Sequence, residues 1–184
     1  MRKWLRSTLE CIAVNQLPSC GRIPVGPMTN IPRFVQVFAI GAWVGSIFYF
    51  SAAVAPGAFR VLSNPDQAGA LVTFTLGRLH LMGVVAAVLY LLATAALARS
   101  LKGLIRLELI AVIVMLLLTI VSQEFVMRKM QVVRMQMGSV AATSTSDPLR
   151  VQFDQLHGVS ADIEGAVLLI GLVTLFLTVR SYRL

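Results

Sequence analysis

The chain has 184 residues, 57% of them hydrophobic and only 13% charged. Soluble domains carry about 25% charged residues, so the composition excludes that class. The net charge of +8 raises anionic partners, but no basic-aromatic patch of a nucleic-acid reading module occurs, and nucleic acid is excluded as a partner.

Residues 1–30 read as a flexible N-terminal tail, with Pro18, Pro24, Pro27, Gly21 and Gly26 and no apolar run of spanning length. Arg2-Lys3-Trp4-Leu5-Arg6 has the charge of a signal n-region, but Glu10, Asn15 and Gln16 interrupt the stretch that should follow. Leu17-Pro18-Ser19-Cys20 departs from a lipid-attachment site at Pro18. Cys11 and Cys20 read as reduced thiols on a cytoplasmic segment, and they lack the neighbouring His or Cys of a metal motif. Met28, just before the first apolar run, is an alternative start.

Residues 31–184 read as an all-α integral membrane four-helix bundle. A bilayer core of about 30 Å needs about 20 apolar residues as helix, and Phe34–Ala55, His80–Ala98, Leu104–Phe125 and Val159–Val179 each qualify. Long unbroken runs without period-two alternation favour helices over a barrel. In the first span, Gly41-Ala42-Trp43-Val44-Gly45 is a GxxxG pattern that suits close helix approach. Trp43 lies near mid-span and is expected to face the bundle, and Pro56 is expected to break or kink the helix. Asn64-Pro65-Asp66 reads as a turn, and residues 66–79 as a short interfacial helix or the outer end of span two. The short connector Arg99–Gly103 makes spans two and three antiparallel neighbours. Span three continues as an amphipathic helix to about Met137. A Ser/Thr/Ala-rich loop, Gly138–Pro148, precedes span four, which ends at an Arg180/Arg183 anchor.

Charge orients this bundle. The N-terminal segment, the loop between spans two and three and the C-terminus hold ten basic residues against two acidic ones, and the other side holds six against six. The basic bias marks the cytoplasmic side. The expected topology is therefore up-down antiparallel with both termini inside, in the inner cell membrane. The lipid bilayer is a partner, beside a second copy or another membrane protein.

With that orientation, His80, Glu124, Asp154, His157, Asp162 and Glu164 fall at the outer ends of spans two to four. His157 and Glu164 are seven apart and share a helix face. Glu164 lies about two turns inside the span, where a carboxylate faces the bundle or a wet cavity by default. His80 and His157, with Glu164 or Glu124, have the donor chemistry of a transition-metal site. Met127 and Met130, on one face with Gln123, Arg134 and Met137, add soft thioethers that favour copper. Each part also has a plainer reading. Histidines at span ends are commonly interfacial, methionine stripes commonly pack cores, and Glu124 and Arg128, four apart, form an ordinary helix pair. A b-type haem held by the two histidines is a further alternative. No G-x-S-x-G or H-E-x-x-H occurs, so an enzyme is not expected. The competing class is a structural or partner-binding membrane subunit using Gly41 and Gly45.

Four short motifs, in this order, carry a family resemblance. They are Ala42-Trp43-Val44-Gly45, Val54-Ala55-Pro56-x-x-Phe59, His80-x-x-Gly83 and Phe153-x-x-x-His157-Gly158-x-Ser160. Together they resemble the transmembrane-protein-205-like family, also catalogued as domain of unknown function 4149, over roughly residues 31–180. A looser likeness links the chain to copper-resistance D membrane proteins. The resemblance implies a four-helix membrane bundle and draws attention to Trp43, Pro56, Phe59, His80, His157 and Ser160; it implies no established activity. Glu164 departs from the amide that relatives often carry there.

Overall fold

The computed structural model describes residues 27–98 and 107–181. The tail features of residues 1–26 and the connector Arg99–Gly103 lie outside them. No strand occurs among the described residues. Four helical rods, Asn30–Val61, Pro65–Leu97, Leu107–Met137 and Pro148–Ser181, are long and apolar enough to cross a membrane. They define an all-α four-helix bundle, and its compact unit is Pro32–Leu184. Phe34, Phe48, Leu92, Leu117 and Phe176 are exposed around its outside. Apolar surface on that scale drives association in water, whereas lipid accommodates it. The protein is a multi-pass membrane protein.

The first rod comprises α1 (Pro27–Tyr49), one wide turn over Phe50–Val54, and α2 (Ala55–Val61). Pro56 does not break it. Proline lacks an N–H and its ring crowds the carbonyl four residues back. The π-type turn just before it absorbs both defects, and Pro56 sits in the first turn of α2, where no N–H is needed. The second rod is the single helix α3 (Pro65–Leu97), so residues 66–79 are the outer end of span two. The third comprises α4 (Leu107–Val121), a second π-type turn over Ser122–Met127, and α5 (Arg128–Met137). The fourth is α6 (Pro148–Ser181).

Cross-helix neighbours fix the register. Gln36 Nε2 donates to Thr94 Oγ1 at 2.7 Å, and Trp43 lies against Gly83, so rods one and two are antiparallel. His80 meets Gln123 while Gly69 meets Arg134, and rods two and three are antiparallel too. Met127 meets Ser160 and Met115 meets Gly171, which makes rods three and four antiparallel. The core runs through Ile40, Trp43, Ile47, Ala87, Met115 and Val167.

Close packing uses different glycines from those expected. An added Cβ on Gly83 would lie 2.5 Å from Trp43 Nε1, and one on Gly171 would lie 2.5 Å from Val44 Cγ2. At Gly41 and Gly45 it would meet nothing within 4 Å. The GxxxG pattern therefore makes no close helix contact within this bundle. Trp43 does face the bundle and is 2% exposed.

At the end carrying the loops 62–64 and 138–147, Asp66 is the tie point. Asn64 caps α3 by accepting from the Asp66 N–H at 2.9 Å. The Asp66 carboxylate in turn accepts from Ser139 Oγ at 2.5 Å and Val140 N at 2.9 Å, and Arg134 Nη2 donates to the Asp66 carbonyl at 2.5 Å. Gly138 supplies the positive φ, +73°, that turns the chain out of α5. Asp147 opens α6 by accepting from the Leu149 N–H at 2.8 Å. Asp66→Ala is expected to release loop 138–147 while leaving the spans intact. Limited proteolysis with mass mapping should show new cuts there, and an unchanged cleavage pattern would assign the latch to other groups.

Candidate functional site

The rods are 32, 33, 31 and 34 residues long. At about 1.5 Å per residue each spans close to 50 Å, about 20 Å more than a hydrocarbon core. The surplus falls on the loop side, where Asp66, Arg128, Lys129, Arg134, Arg150 and Asp154 sit. His80, Gln123 and Glu164 lie near the midpoints of their rods, where the apolar stretches of spans two and four begin.

These three side chains meet. His80 is 3% exposed and Glu164 8%. His80 Nε2 contacts Glu164 Oε1 directly, and His80 Nδ1 lies 2.7 Å from Gln123 Oε1. The imidazole thus bridges spans three and four from span two. Gln123 is carried by the π-type turn Ser122–Met127, a device frequent at functional sites because the extra residue re-aims side chains. One helical turn outward on spans three and four, Ser160 Oγ donates to Met127 Sδ at 3.9 Å. Ser122 Oγ is the one buried side-chain polar atom without a hydrogen-bond partner among the described residues.

Both ring nitrogens of His80 face oxygen. A neutral imidazole has only one N–H, so with this amide orientation the Nε2···Oε1 contact needs a further proton. Imidazolium with carboxylate and neutral imidazole with carboxylic acid both satisfy the geometry, and each carries one proton more than neutral imidazole with carboxylate. A flipped amide would donate to Nδ1 and leave Nε2–H to serve Glu164.

The other predicted donors are placed elsewhere. His157 is exposed, with its ring stacked on Phe153 at 6.4 Å between centroids. It is seven residues, about 10 Å along the helix axis, from Glu164, and the structure does not bring it to His80. Glu124 is an exposed partner of Arg128, and Asp154 pairs with Arg150 at 3.1 Å. Asp162 is exposed. Met130 is buried in the core. Among the described residues no group of three or more His, Cys, Asp and Glu is arranged to hold a metal. Gln123 is the partner that a search for titratable and soft donors undervalues, although its spacing already placed it on the Met127 face.

A second buried polar cluster lies toward the opposite end. Tyr90 OH and Thr178 Oγ1 are 2.8 Å apart, and Thr94 accepts from Gln36. Trp43, Val44, Met115 and Val167 form an apolar layer between the two clusters, with Met115 at 0% exposure. Thr119, 2% exposed, lies between Met115 and Gln123 on span three, and its hydroxyl donates to the Met115 carbonyl at 2.9 Å.

The fold and site together define a small four-span membrane protein with a buried His–Glu pair held by an amide. The sequence profile of the family described as a domain of unknown function, DUF4149, matches residues 38–139. That is more than half of the chain, and the chain belongs to this family. The match takes in His80 and Gln123 and stops before span four, so Glu164 and the Phe153–Ser160 motif lie outside it. No curated protein and no solved structure matches the chain.

Proposed function

We propose that this protein is a non-enzymatic binding protein of the inner cell membrane whose site, His80 with Glu164, takes up and releases a proton. The observation that carries the reading is the direct contact of His80 Nε2 with Glu164 Oε1 in a buried position. An ionisable pair inside a span is expensive unless it is used, and imidazole is the side chain that titrates nearest physiological pH. The apolar layer beneath the site favours one-sided binding over conduction. The excess of basic residues on the other side supports a topology with both termini in the cytoplasm and the site toward the outer leaflet.

The test is pH-difference infrared spectroscopy on protein in nanodiscs, with Glu164→Gln as the band assignment. Between about pH 5 and 8, wild type is expected to show coupled changes in the Glu164 carboxyl and His80 ring modes, and Glu164→Gln to lose the carboxyl component. Silence of both groups across that range would refute the reading and leave a purely structural or partner-binding subunit.

A second reading is favoured by the thioether of Met127 lying on the same side as Glu164, one turn outward. In it His80 and Glu164, with Met127, bind copper, the metal displacing the shared proton. A bis-histidyl haem has less support, because His157 stacks on Phe153. Copper titration followed by elemental analysis separates the readings. Copper retained by wild type and lost by His80→Ala supports the metal, and equal retention by both removes it.

A further inference from the structure

A cavity of about 550 Å³ opens between spans two and three on the loop side of the site. Its lining includes Arg78, Arg134, Gln131 and Thr73, together with Phe74 and Leu81, and contains no acidic residue. Arg78 is exposed, and its guanidinium lies over the Phe74 ring at 5.2 Å from the centroid, a cation–π placement that keeps the charge at the cavity. No acidic side chain pairs with Arg78 among the described residues. Arg134 is anchored by donating to the Asp66 carbonyl, which fixes the second guanidinium on the opposite wall. Along the rods Arg134 lies level with Gly69 near the loop end, whereas Arg78 lies nine residues farther in, close to the level of Gln123 and Leu81. The cavity thus carries one guanidinium near the loop end and one at the level where the apolar stretches begin, with Phe74 and Met127 between them.

We infer that this cavity holds the headgroup phosphate of an anionic phospholipid from the surrounding leaflet, with the lipid's apolar part along Phe74 and Leu81. Guanidinium groups bind phosphate oxygens through strong charge-assisted, often bidentate hydrogen bonds. Arg134 is shared with Asp66, but Arg78 has no carboxylate partner among the described residues and favours a net negative headgroup over a zwitterionic one, whose ammonium it repels. Gly77 makes room on the span-two wall, since an added Cβ there meets nothing within 4 Å. Neither His80 nor Glu164 lines the cavity, although Gln123, the partner of His80 Nδ1, forms part of its inner wall.

An arginine at any membrane surface attracts anionic lipid, so the test must separate the cavity from the charge. Native mass spectrometry of the detergent-solubilised full chain is run with added phosphatidylglycerol, with phosphatidylcholine of identical acyl chains, and with inorganic phosphate alone. Wild type is expected to retain phosphatidylglycerol preferentially. Arg78→Gln should weaken this about fivefold to tenfold, the size of a partly exposed charge-assisted contact. Gly77→Leu, which fills the cavity and leaves both arginines in place, should weaken it at least as much. Equal retention of the two lipids would overturn the inference, as would wild-type binding by Gly77→Leu. Displacement of the lipid by inorganic phosphate at equal concentration would assign the cavity to a free anion instead.

Discussion

Replacing His80 by alanine is expected to destabilise the bundle more than replacing Glu164 by alanine. Removing one member of a buried ion pair commonly costs about 3–5 kcal/mol, because the other is left without compensation. The stranded group relieves that penalty by neutralising itself. In Glu164→Ala the imidazole does so by losing a proton, which is easy near neutrality. In His80→Ala the carboxylate is left among apolar side chains without its partner. Glu164→Gln retains an acceptor and adds a donor for His80 and should stay within about 1 kcal/mol of wild type. Hydrogen bonds between membrane helices average only about 0.6 kcal/mol in double-mutant cycles. A coupling of that size between His80→Ala and Glu164→Ala would mark a neutral pair, and one well above it an ionised pair. Unfolding of detergent-solubilised protein, followed by circular dichroism, reads all of these. Equal losses for both alanine variants would remove the shared proton from the account of the site.

The spans were legible because hydrocarbon imposes a length and a polarity that few other constraints override. Glu164 was legible for the same reason, since a carboxylate two turns inside an apolar run demands a partner. The identity of that partner was not. His157 shares a face with Glu164 in an ideal helix, but the inward stripe on α6 steps by four from Glu164 to Ser160 and again toward Leu156. Each step of four turns the stripe by about 40° at 3.6 residues per turn, which brings the half-buried Leu156 inward and leaves His157 outside. Height along a helix was readable; rotational phase at its end was set by packing. The π-type turns were also hidden, because their cause differs from place to place. Pro56 accounts for the first, whereas the second has no proline and is known only through the helices it fits between. Gln123 stood on the right face in the sequence, yet only the register of span two against span three shows that it receives His80.

That register depends on Gly83, and here the largest packing effect is expected. Gly83→Ala places a methyl 2.5 Å from Trp43 Nε1 and 2.7 Å from Cε2, against a rigid indole in the core. Overpacking of this kind costs about 1–3 kcal/mol. Gly171→Ala meets Val44 Cγ2 at 2.5 Å and the Met115 methyl at 3.0 Å. The methionine can swing aside, so the loss should fall at the lower end of the same range. Shrinking the opposing side chain separates crowding from any other cause. Gly83→Ala combined with Trp43→Phe, and Gly171→Ala combined with Val44→Ala, should each be more stable than the sum of the single effects. Gly41→Ala and Gly45→Ala meet no atom and should be neutral, or gain up to about 1 kcal/mol through the helix preference of alanine over glycine. Thermal unfolding of these six variants, with Trp43→Phe and Val44→Ala alone, in one detergent orders them. A greater loss at Gly41 or Gly45 than at Gly83 would move the close helix contact to the outer face of span one. Because Gly83 is one turn from His80 on the same helix, a displaced Trp43 also unseats the imidazole. Gly83→Ala should therefore alter the proton titration of the site in a protein that keeps its ionisable residues.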